Sequence, residues 1–210
     1  MIFTYGTGFY GKIATHNDQW IETKFFHIMF IPLFPIGSMY VTASEFKRRG
    51  GLDIDTNSKS VLATYARLFT FLAAAITFFI AFTNNLNFVY FMAMAIPFAA
   101  LWVYFCFFYG KAKKSDLPLR DKVGSITGYY ALPHYFDHSF LYLKLDAFEK
   151  EYKRIYPDSN WQTDLMSDDV EIADGRKRLL FGIALFNCVI NNSPENDELY
   201  YKADALYQLP

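Results

Sequence analysis

Apolar positions fall into three regimes along this chain. From Val61 to Gly110 they are nearly continuous, interrupted by one charged residue, Arg67, and by the polar cluster Thr83, Asn84, Asn85 and Asn87. Neither run carries the polar stripe of a helix lying on a soluble core, and each is long enough for the ~20 residues that cross a ~30 Å hydrocarbon layer. The pattern predicts two transmembrane helices, about 61–83 and 86–109, joined as a hairpin by a turn too short to hold a further domain.

Residues 1–46 instead alternate β-branched and aromatic side chains with Gly6, Gly8, Gly11 and Gly37. They predict a small antiparallel β-unit of three or four strands, with regular pairing stopping at Pro32 and Pro35, which lack a backbone donor. Residues 47–60 read as a linker. Residues 111–139 read as a basic linker followed by an aromatic loop, and 140–210 as a helical domain. Within that domain Leu141, Leu145, Phe148, Tyr152 and Ile155 mark one helical face, residues 176–191 a second helix, and Ser193-Pro194 the capped start of a third. The fold class expected is a membrane α+β protein. It has a two-span helical hairpin, an N-terminal antiparallel β-unit and a C-terminal α-helical domain on the cytoplasmic side.

Charge sharpens the topology. Of 41 Asp, Glu, Lys and Arg residues, all but Arg67 lie outside the apolar window. Lys47, Arg48, Arg49 and Lys59 precede the first span, and Lys111, Lys113, Lys114, Arg120 and Lys122 follow the second, whereas the turn between the spans has no charge. By the positive-inside rule both termini face the cytoplasm. No signal-peptide pattern precedes the β-unit, so the first span is expected to act as the insertion signal. Cys106 and Cys188 fall in different compartments of this arrangement, which predicts no disulfide and a reducing location. The net charge of −1 leaves no basic footprint for nucleic acid.

Two span residues break the apolar rule. Arg67 lies near the cytoplasmic end of the first span and is expected to snorkel to the headgroups, or else to pair with a partner's acid or a lipid phosphate. Pro97 is expected to kink the second span by removing the donor for Ala93. In the soluble regions His27, Phe30, Pro32, Phe34 and Pro35 of the β-unit, and Tyr129, Tyr130 and His134 of the aromatic loop, are candidate contacts for partners or lipid, as is Arg67.

Gly6-Thr7-Gly8, Lys12, His27 and the run Phe30–Gly37, with its Ile-Pro-Leu-Phe-Pro core, resemble a family of small bacterial zinc-ribbon proteins. The resemblance covers residues 1–46 and implies a β-ribbon, in a bacterial inner-membrane setting for the whole chain. Both Cys-x-x-Cys knuckles of that family are missing here, and a structural zinc needs four Cys or His ligands. A metal-free relic held by packing of its aromatic residues is therefore expected.

No catalytic constellation emerges. Gly6-Thr-Gly-Phe-Tyr-Gly11 matches a dinucleotide fingerprint only by spacing, since no βαβ unit follows. His134 and His138, with Asp137, would make a metal edge only on a helix. Asp168, Asp169, Glu171 and Asp174 read as a solvated helix start. The sequence thus predicts a non-enzymatic integral membrane protein without metal or cofactor, acting as an accessory or scaffold subunit. Its expected partners are the lipid bilayer and other membrane-complex subunits, with a homo-oligomer also allowed. The alternatives are a lipid-handling or transport accessory, or a membrane-bound enzyme centred on His134, Asp137 and His138.

Overall fold

The computed structural model describes residues 5–45, 48–83, 87–167 and 173–208. Four strands, β1 (Tyr5–His16), β2 (Gln19–Ile28), β3 (Ile31–Glu45) and β4 (Arg48–Ile54), form one antiparallel sheet in chain order. Its interior is fixed by Ile21, Phe25, Tyr40 and Val41, which have no exposed surface. Thr23 and Ser38 share a buried hydroxyl–hydroxyl hydrogen bond of 2.7 Å across β2 and β3. Arg49 Nε donates to Glu22 at 3.2 Å and ties β4 back to β2.

Pairing does not stop at Pro32 and Pro35. Lys24 pairs with Gly37 and Phe25 with Pro35, then Phe26 with Phe34 and His27 with Pro32, so Ile36 and Leu33 are the extra residues of two bulges. β4 reaches only as far as the Ser38–Ile54 pair, leaving residues 31–37 of β3 with β2 on one side alone. An open edge and bulges are the places where a strand tolerates a missing donor. β4 itself lies inside the stretch read as linker, its Gly50 and Gly51 having masked the strand.

Two helices, α1 (Ser58–Thr83) and α2 (Phe88–Phe107), pack as an antiparallel hairpin. At 1.5 Å per residue they are ~39 and ~30 Å long. Asn57 caps α1, its Oδ1 accepting from Ser60 N at 3.1 Å, which places the start slightly ahead of the apolar run. Phe71 meets Trp102 at 5.7 Å and Phe82 meets Phe88 at 5.8 Å between the two helices. Most other span side chains point outward and are apolar: Phe79 is 68% and Val89 79% exposed. Within the chain the two helices thus leave most of their apolar surface uncovered. Both helices are candidate membrane spans by length and composition. Pro97 lies inside the continuous helix α2. Asn84, Asn85 and Leu86 fall outside the described residues.

The chain divides into two compact units, Met1–Lys114 and Ser115–Pro210. The second contains α3 (Leu117–Thr127), α4 (His138–Ile155), α5 (Trp161–Met166), α6 (Asp174–Ile190) and α7 (Pro194–Leu206). Its core is α6, on which every residue from Leu179 to Phe186 is buried. Phe148 of α4 stacks on Phe186 at 5.9 Å, and Tyr207 beyond α7 stacks on Phe181 at 5.0 Å. Ser193 caps α7 as its sequence predicts, accepting from Asn196 N.

Two expectations change here. α3 occupies part of the stretch read as a basic linker and aromatic loop, held by Arg120 Nε donating to Tyr130 O at 2.6 Å and by Lys122 Nζ on Asp204 at 2.6 Å. His134 and His138 do not share a helix, because a 3-10 turn covers Pro133–Tyr135 and α4 begins at His138. Asp168, Asp169 and Glu171 fall outside the described residues, and Asp174 opens α6.

Candidate functional site

The most densely engineered part of the first unit is the junction of the sheet with the hairpin. β1 is an edge strand, so one row of its backbone groups has no partner within the sheet. The hairpin supplies partners. Ser60 Oγ donates to Gly11 O at 2.8 Å, Arg67 Nη2 donates to Lys12 O at 3.1 Å, and Ala14 N donates to Gly110 O. Close approach requires glycine on both sides. Gly11 has φ +73° and a Cβ there would collide with Ser60 O; Gly110 has φ +75° and a Cβ there would collide with Ile13. A second clasp joins β3 to α1, where Tyr65 Oη donates to Leu33 O at 2.7 Å and the Tyr65 ring meets Phe25 edge-on at 5.6 Å.

Arg67 has a position that neither expected reading anticipates. Its Nε donates to Phe105 O at 2.8 Å in addition to the Nη2 bond to β1. Phe105 lies in the last turn of α2, where carbonyls lose their intrahelical donors. Tyr104 O there accepts from both Phe108 N and Tyr109 N, and the guanidinium serves Phe105. A cation at a helix C-terminus is also favoured by the helix dipole. The planar fork of arginine thus closes three elements, α1, α2 and β1, on two carbonyls.

Of the candidate contact residues, His27, Phe30, Pro32, Phe34 and Pro35 come together at the β2–β3 hairpin. The His27 ring stacks on Phe30 at 6.1 Å and meets Tyr10 edge-on at 6.0 Å, and its Nδ1 is buried without a hydrogen-bond partner. Phe34 stacks on Phe26 at 5.0 Å. Pro32 is buried and Pro35 exposed. Tyr129, Tyr130 and His134 belong to the other unit. Tyr129 meets Phe136 and Phe140 edge-on at 6.1 and 5.5 Å, with Lys144 over its ring, and the Tyr130 carbonyl anchors Arg120. The aromatic loop is therefore largely folded onto α3 and α4. His134 is exposed beside Tyr135. Asp137 accepts from Phe140 N at 2.6 Å and so caps α4.

The second unit also holds polar groups that sequence spacing does not connect. Arg176 donates to Tyr152 Oη at 3.0 Å, to Ser159 Oγ at 3.0 Å and to Asp164, while Tyr152 donates to Asp164. Burial, then the bond to Asp164, pushes the Tyr152 phenol up to about 12. Cys188 Sγ donates to Asp197 Oδ1 at 3.1 Å, and burial with that bond pushes its thiol up to about 11. Both groups hold their protons at neutral pH, so neither is a ready base or nucleophile. Beside Tyr152 a polar cleft of about 310 Å³ is lined by Glu149, Ser159, Trp161 and Asn187 among others. Among the described residues no group of three or more His, Cys, Asp or Glu could hold a metal ion.

Comparison with protein-family models, with curated proteins and with solved structures gives no match. The functional reading therefore rests on the residues and their geometry.

Proposed function

We propose that this chain is an integral membrane protein anchored by the α1–α2 hairpin, acting without catalysis as an accessory or scaffold subunit of a larger membrane complex. Both termini lie on the cytoplasmic side, where the nine flanking basic residues cluster. The sheet and the C-terminal helical unit serve as contact surfaces for protein partners. The observation that carries this reading is the clamped junction of hairpin and sheet. Ser60, Tyr65, Arg67 and Gly110 fix the sheet to the spans through backbone groups. An anchor that only tethered a soluble module would need a linker rather than such a clamp.

Alkaline carbonate extraction of native membranes, followed by photocrosslinking from a residue on each contact surface, tests the proposal. Asp53 in β4 of the sheet and Tyr142 on α4, both exposed, are suitable sites. Retention in the pellet with protein adducts of defined mass is expected. Release by carbonate, or a strictly monomeric protein without adducts, refutes it.

A further inference from the structure

We propose that the tip of the β2–β3 hairpin is a lipid-seated wedge, with Met29, Phe30, Ile31, Leu33 and Phe34 inserted into the interfacial layer of the leaflet that α1 enters. The inference rests on the membrane reading above and adds a third point of bilayer contact to the two spans.

The sheet contains an internal comparison. Its β1–β2 and β2–β3 connections are both two-residue turns whose central residues have positive φ: Asn17 and Asp18 at +46° and +57°, Met29 and Phe30 at +50° and +67°. Asn and Asp tolerate that left-handed backbone, whereas a bulky Met-Phe pair strains it. The strained turn also presents its side chains outward, with Phe30 72%, Met29 57% and Phe34 54% exposed. Local backbone preference and ordinary solvation both oppose this choice of residues, so an outside phase must favour it.

Three observations identify that phase as lipid. First, no Asp, Glu, Lys or Arg occurs from Phe25 to Ser44, so seating the tip in the interfacial layer desolvates no charge. Second, the hairpin is bonded to the membrane anchor, since Leu33 O accepts from Tyr65 Oη at the start of the third turn of α1. Third, the apolar surface is continuous across that bond. Leu33 is exposed beside the half-buried Tyr65, and Tyr65 stacks at 6.1 Å on Phe69, an exposed residue one turn further along the span. The tip is thus tied to the first turns of α1, next to rings that face outward from the span. Aromatic side chains favour the interfacial layer of the bilayer.

The test uses the full chain with Cys106→Ala and Cys188→Ser, carrying one new cysteine at Phe30, Asp18 or Phe79, labelled with an environment-sensitive fluorophore. Each is reconstituted in phosphatidylcholine–phosphatidylglycerol vesicles, with and without lipid bearing a nitroxide near the headgroup end of its acyl chain. A blue-shifted Phe30 label, quenched several-fold more strongly than the Asp18 label, is expected. Phe34→Cys repeats the measurement from a strand position that leaves the turn unaltered. Equal quenching at Phe30 and Asp18 places the tip in water and overturns the proposal. A blue-shifted label that nitroxide lipid does not quench shows a protein cover instead, a second copy or another subunit, and overturns it equally. The Phe79 label separates the two levels of inference: if it is lipid-quenched while Phe30 is not, only the wedge fails, and if it is not, the membrane reading itself fails.

Discussion

Replacing Arg67 with Met removes the guanidinium fork while keeping an unbranched apolar stem. The two bonds lost run to Phe105 O at 2.8 Å and Lys12 O at 3.1 Å. Hydrogen bonds to a charged group contribute about 1.5–3 kcal/mol each. The bond to β1 is exposed and belongs below that range, so about 3 kcal/mol for the pair is a reasonable sum, and at 1.4 kcal/mol per decade this is about a hundredfold in the docking equilibrium. Membrane insertion of α1 should not suffer, because a charged side chain within a span costs about 2.5–3.5 kcal/mol at the helix centre and the change removes one. The reporter is the Ala14 amide, whose acceptor is Gly110 O on the far side of the clasp. Hydrogen exchange in micelles should show it opening about a hundredfold faster in the Arg67→Met protein. Arg67→Lys, which keeps the charge but loses the fork, should fall between. Unchanged Ala14 protection in a correctly inserted Arg67→Met protein would refute the clasp and return Arg67 to a snorkelling role.

Gly110→Ala should weaken the same junction by about 2 kcal/mol or more, since it combines a left-handed backbone with a collision against Ile13, and protease sensitivity of β1 would report it. Arg176→Met should destabilise the second unit by about 1–3 kcal/mol, since the half-buried Asp164 keeps only its bond from Tyr152. The Arg176 and Asp164 side chains are each 14% exposed, and Arg176→Met with Asp164→Leu should recover much of the loss in thermal unfolding. A silent single substitution would show that the pair is not coupled to the fold. Alkaline pH should destabilise that unit. The Cys188 thiol is raised from 9.0 to about 11, and the Tyr152 and Tyr200 phenols from 10.0 to about 12. Folding binds those protons more tightly, so the contribution is complete below about pH 9 and is lost as pH rises through the folded values. A melting temperature that is flat or rising from pH 8 to 11 would contradict it.

The parts of this fold legible in the sequence are those with a local signature. One charge in the Val61–Gly110 window marks the hairpin, and Ser193-Pro194 marks the start of α7. β4 and α3 were hidden because their support is distant. Residues 47–60 read as a linker because β4 within them is held by a distant contact, Arg49 on Glu22 two strands away. The α3 sequence gains its helix through Arg120 on Tyr130 and Lys122 on Asp204. The prolines of β3 read as strand breakers because nothing local reveals that bulges and an open edge absorb them. At the candidate site, the aromatic run of the β2–β3 hairpin was visible as composition. The clasp was not, because Arg67 meets a carbonyl 38 residues away and β1 meets Gly110 only after both spans.

That last pairing imposes an order on biogenesis. β1 is made first, yet the edge it exposes is completed only when Ser60, Arg67 and finally Gly110 have emerged. At about 5–20 residues per second, the interval between Ala14 and Gly110 is roughly 5–20 s of synthesis. Throughout it the nascent chain carries an unfinished strand that any other exposed strand could join. Completion of α2 and Gly110 ends that vulnerability, so a chain truncated within α2 would be a substrate for aggregation or quality control even though every residue of its sheet had been made.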